Sequence, residues 1–240
     1  LRLEEHFEVA PGGGTAIVHP TSAWLSAAHP FLPAARLAAA PAGRRYLAGW
    51  AMATELHILN DEYTDRRAAG EDSRRALRGT AERLYVQIVL GANNERLPPP
   101  WGPRRFARYL RWAWLIEGGA QYFAGQVPLF RAAVIRRMRE GAPPSFPPSA
   151  RDAIILGGTV FDLLERQAGA PACDLLVSRL RKDGARGIIC DSIACTPRPR
   201  SRRKRHSSSS SGASAKSRRA VSSISGSRSR RAANLSLATK

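Results

Sequence analysis

Apolar residues recur at regular spacing only as far as about Gly187, and a chain folds only where such a pattern lets it bury surface. In residues 188–240 serine and arginine dominate instead, with 13 Lys and Arg against one acid, Asp191, a net of +12. Ordering a residue costs about 1–2 kcal/mol, and this composition has too little apolar surface to offset it. The expectation is therefore a folded domain over 1–187 and a disordered, basic Ser/Arg-rich tail over 188–240. Arg202, Arg203, Lys204 and Arg205 form its densest charge, suited to non-specific neutralisation of phosphates and similar to a nuclear-localisation cluster. The abrupt loss of patterning is also what out-of-frame translation of a GC-rich gene produces.

Residues 1–187 hold 25 basic and 18 acidic side chains, a net of +7. A domain of this length buries roughly 70% of its unfolded surface, enough for a core. The three cysteines, Cys173, Cys190 and Cys195, provide neither a disulfide framework nor the two pairs of a zinc knuckle. The most apolar stretch, residues 23–42, is interrupted by Pro30, Pro33 and Pro41, so no membrane span is expected. The chain opens on Leu1, and an N-terminus lacking an upstream segment is the expectation.

The pattern within the domain predicts an α+β fold, mainly helical, with a small N-terminal sheet. Thr15 to His19 reads as a strand after the Gly12-Gly13-Gly14 turn, and residues 51–59 as a second strand ending at Asn60-Asp61. The alanine-rich, proline-punctuated stretch 21–40 suits short helices. Leu77, Ala81, Leu84, Tyr85 and Ile88 make one apolar stripe on a helix over 72–90, with Asp72 or Ser73 as its cap and Gly91 as its stop. Further helices are expected over about 104–123, 150–167 and 171–182.

One helix carries a motif. Trp114-Leu115-Ile116-Glu117-Gly118-Gly119-Ala120-Gln121-Tyr122 resembles, at every fixed position, the helix that supplies the third zinc ligand in gluzincin-type metallopeptidases. In that family a preceding His-Glu-x-x-His helix presents two imidazoles one turn apart, and its glutamate takes a proton from the metal-bound water. Here the corresponding upstream helix reads Ala81-Glu82-Arg83-Leu84-Tyr85. Downstream, Gly157, Leu164 and Gly169 are similar in spacing to the family's Gly-x6-Leu-x4-Gly helix, although Ile154 stands where that helix often has a tyrosine.

The resemblance implies a metallopeptidase-like helical bundle over 1–187, with Glu117 as relic third ligand and Glu82 as relic general base. Ala81 and Tyr85 then hold the degenerate ligand positions. Alanine has no ligand atom, and a phenol with an unperturbed pKa of about 10 is a poor one for zinc. No cofactor is expected, although active relatives hold zinc. The implied function is that of a non-catalytic pseudopeptidase, a binding module or relic whose cleft would receive a peptide or protein. Two alternatives stay open: a peptidase with substitute ligands, and a nucleic-acid-associated protein acting through polyanion binding by the tail. Among His6, His19, His29, His57 and His206 no two are three or four residues apart. His57, in a predicted strand, is the one placed to reach the cleft edge.

Overall fold

The computed structural model describes residues 3–178, apart from 10, 13 and 98–101. The boundary expected at 187, the basic tail, and Cys190 and Cys195 lie outside the described residues. Within them the fold is α+β and mainly helical, with one three-stranded sheet. No described helix is long and apolar enough to cross a membrane.

The sheet is built from β1 (Thr15–His19), β2 (Gly49–Ala51) and β3 (Glu55–Leu59), in the order β1-β3-β2. β3 runs parallel to β1 and antiparallel to β2. A parallel neighbour needs a crossover, and three short helices fill it: α1 (Ser22–Ala28), α2 (Phe31–Ala38) and α3 (Pro41–Arg44). The single strand expected over 51–59 is thus the turn and second arm of a hairpin whose first arm begins at Gly49. Strand side chains alternate between faces. Leu56 and Ile58 of β3 pack with Leu84, Tyr85 and Ile88, whereas His57 and Leu59 belong to the opposite face.

After α4 (Asp61–Arg67), the helix expected over 72–90 is two: α5 (Glu71–Arg78) and α6 (Thr80–Asn93). Gly70 precedes α5 at φ 152°, a backbone state open to glycine, so neither Asp72 nor Ser73 is the cap. The break falls at Gly79, whose carbonyl accepts from Gln126 Nε2 at 2.6 Å and whose missing side chain leaves room for that amide. Gly91 does not stop α6, which continues to Asn93.

The remaining elements are α7 (Pro103–Phe123), α8 (Arg131–Arg139), α9 (Ala153–Ala168) and α10 (Ala170–Ser178). α8 was hidden in the sequence by its arginines. It is held to the start of α9 by Arg137, whose Nε and Nη2 donate to the two carboxylate oxygens of buried Asp152 at 2.7 and 2.9 Å. α7 and α9 form the centre of the core. Their backbones meet at Gly118 and Gly157, where a Cβ on Gly118 would lie 2.5 Å from the Gly157 carbonyl carbon and oxygen. Around this contact Leu115, Ile116, Ala120, Phe161 and Leu164 are fully buried.

A methyl group at Gly118 has backbone on its far side and nowhere to turn. Gly118→Ala should destabilise the fold by about 1–3 kcal/mol in chemical denaturation. Gly141→Ala, with nothing within 4 Å of the new carbon, should be near neutral.

Candidate functional site

Glu117 lies one residue before the Gly118 contact, so the approach of α7 to α9 also sets where its carboxylate points. The residue is 4% exposed and faces α6 rather than solvent. Buried carboxylates need donors, and two supply them. Tyr109 Oη donates to Glu117 Oε1 at 2.7 Å, from two turns earlier on α7, and Gln87 Nε2 of α6 donates to the same oxygen at 3.1 Å. The Tyr109 phenol has its pKa pushed well above its usual value, first by burial and then by the Glu117 charge and hydrogen bond. It therefore stays protonated and remains a donor.

Leu47, Gly49, Trp50, Arg83 and Leu84 complete a cavity beside Glu117, together with Tyr109 and Gln87. Its volume, about 10 Å³, suits roughly one water and admits no peptide side chain. Arg83 is 3% exposed, and its Nη2 donates to the Tyr46 carbonyl at 2.7 Å. Its Nε and Nη1 have no hydrogen-bond partner among the described residues. A guanidinium and a carboxylate thus share one closed cavity, flanked by the edge strand β2.

The positions on α6 that face Glu117 are Arg83 and Gln87, one turn apart. The pair read from the sequence, Ala81 and Tyr85, is displaced from them by two residues, about 200° around a helix. Tyr85 accordingly turns toward the sheet and the N-terminal segment, its hydroxyl donating to the Pro11 carbonyl at 2.7 Å. Ala81 is half-buried, and Glu82 is exposed, so no buried site holds it as a base. The structure brings Glu117 together with Arg83, Leu84 and Gln87, and not with Glu82. Burial periodicity was the available signal: Arg83 and Gln87 are polar residues among apolar neighbours.

His57 is not among the residues that line this cavity, although its strand partner Trp50 is. It lies with His19 of β1 and His29 just beyond α1. Arg202, Arg203, Lys204 and Arg205 lie outside the described residues. A larger cavity, about 810 Å³, lies elsewhere, between the end of α7 and α9, lined by Tyr122, Arg131, Asp162 and Glu165 among others. No family model, no curated protein and no solved structure matches the chain.

Removing the Tyr109 hydroxyl leaves a buried carboxylate one donor short. Tyr109→Phe should cost about 1.5–3 kcal/mol of stability by denaturant titration, and Glu117→Gln in the same background should recover part of that loss.

Proposed function

We propose that this chain is a non-catalytic, metallopeptidase-like domain in which a buried arginine replaces the catalytic metal ion. The observation that carries the reading is the pairing of Glu117, on a Trp-Leu-x-Glu-Gly helix, with two positions one turn apart on the preceding helix. In a gluzincin-like arrangement those positions hold the zinc histidines and the residue after the first holds the general base. Here they are Arg83, Gln87 and Leu84, so the His-Glu-x-x-His register corresponds to Arg83-Leu84-Tyr85-Val86-Gln87. Arginine is a permanent cation and cannot ligate zinc. Glutamine has only a weak amide oxygen to offer, and leucine cannot accept a proton. The positive charge of Arg83 takes the place of the metal in balancing Glu117, and the amide of Gln87 fills a ligand's hydrogen-bonding role. Such a site preserves the packing of a peptidase and none of its chemistry.

The close contact of Gly118 with Gly157 supports the same reading, because it combines the two downstream parts of the motif into one helix pair. A cavity this small does not favour the peptide ligand that a cleft would take. The domain's role is then that of a scaffold. Polyanion binding by residues 188–240 is a separable property resting on their charge. Salt-dependent retention on DNA should disappear when that segment is deleted.

Rebuilding the ligands tests the proposal. Arg83→His, Leu84→Glu and Gln87→His together should add one equivalent of zinc over the parent protein by mass spectrometry, and Glu117→Ala in that variant should abolish the gain. Ala81→His with Tyr85→His should add none. A folded triple variant without extra zinc would refute the assigned register. Zinc bound by the parent and lost on Glu117→Ala would refute the non-catalytic reading itself.

A further inference from the structure

His19, His29 and His57 come from three elements separated by up to 38 residues, yet one ring nitrogen of each lies within 4.8 Å of the other two. Register explains two of them. Parallel pairing sets His19 opposite Leu59 and Ile17 opposite His57, so both imidazoles project from one face of the sheet, two positions apart on neighbouring strands. Thr21 caps α1 by accepting from the Trp24 amide, and the helix ends at His29, whose ring then folds over that face. The ring centroids of His29 and His57 are 4.0 Å apart at 74°, and those of His19 and His57 5.2 Å apart at 25°.

We propose that these three histidines form a binding site for a zinc-class divalent ion, distinct from the site around Glu117. His29 has its pKa lowered to about 4, by burial first and then by His57 and His19, so it is a neutral ligand at pH 7. His29 and His57 are 6% and 8% exposed, and His29 Nε2 has no hydrogen-bond partner among the described residues. A buried ring nitrogen without a partner is costly, and a metal bond at the trio would remove that cost.

The surrounding groups orient the rings as a metal requires. Glu55 Oε2 lies 3.3 Å from His57 Nε2, so the carboxylate holds the proton on that nitrogen and turns the Nδ1 lone pair toward the other two rings. His57 Nδ1 and His19 Nε2 are 2.9 Å apart. At zinc–nitrogen bonds of about 2.0–2.1 Å, tetrahedral ligands are roughly 3.4 Å apart. Binding would therefore widen that contact slightly and draw the trio in from 4.8 Å, shifts that ring rotation supplies. An all-imidazole set selects zinc, cobalt, nickel or copper over magnesium and calcium, which prefer oxygen. His19, only half-buried, leaves its side open to water for a fourth ligand.

Cobalt(II) added to the chelator-treated full chain reads out the site. The expected result is one equivalent bound with the visible bands of a low-coordinate ion and no thiolate charge-transfer band. Zinc should displace it and raise the melting temperature. His19→Ala, at the half-buried ligand, should weaken binding by more than about 100-fold with unchanged circular dichroism. Glu55→Gln should weaken it about 10-fold through the orienting carboxylate. Glu117→Gln, and Cys190→Ser with Cys195→Ser, should leave it intact. No cobalt spectrum at millimolar metal, or a spectrum that persists in His19→Ala, would overturn the proposal. A thiolate band, or loss of binding on Glu117→Gln alone, would also overturn it, by assigning the ion elsewhere.

Discussion

The contact of Gly118 with Gly157 brings two helix backbones closer than any side chain allows, and the rest of the domain is arranged around it. Because α7 is held at that distance from α9, Leu115, Ile116 and Ala120 are buried without gaps, and Glu117 is turned toward α6. A carboxylate forced inward must be satisfied, so Tyr109 and Gln87 become structural donors. The polar centre is thus a consequence of backbone packing. It ties α7 to α6, and α6 in turn carries the sheet through Leu84 and Ile88.

Two opposite charges share this centre. Arg83 reaches the same cavity as Glu117, where a low dielectric makes an uncompensated ion expensive. Among the described residues only one arm of its guanidinium is hydrogen-bonded to protein, through the Tyr46 carbonyl, and the cavity has space for about one water beside it. Leu47, Trp50 and Leu84 line the same cavity beside the two charged groups.

On the face of β3 that turns away from Leu84 and Ile88, the imidazoles of His19, His29 and His57 converge, with Glu55 at their edge. The two faces share β3, which sends Leu56 and Ile58 toward α6 and His57 away from it. β3 thus contributes both to the apolar packing on α6 and to a cluster whose ring nitrogens converge on one point.

Much of the architecture was legible in one dimension. β1, α7 and α9 follow from β-branched alternation, helical periodicity and proline or glycine punctuation, all of which are local. The Trp114–Tyr122 motif drew attention to Glu117, which the fold buries. Local pattern did not separate α5 from α6, because the break at Gly79 is made by Gln126, distant in sequence. It hid α8, whose arginines lower apparent amphipathicity and whose anchor, Asp152, comes after two proline pairs. It did not show that Arg83 and Gln87, rather than Ala81 and Tyr85, face Glu117, because only the facing helix decides which side of α6 meets it. It separated the three histidines, which strand register and the end of α1 unite. The sequence by itself determined where β1, α7 and α9 form, since those depend on neighbours along the chain. Tertiary structure decided which residues share a site, since a turn of 200° on a helix or one step on a strand exchanges one face for the other.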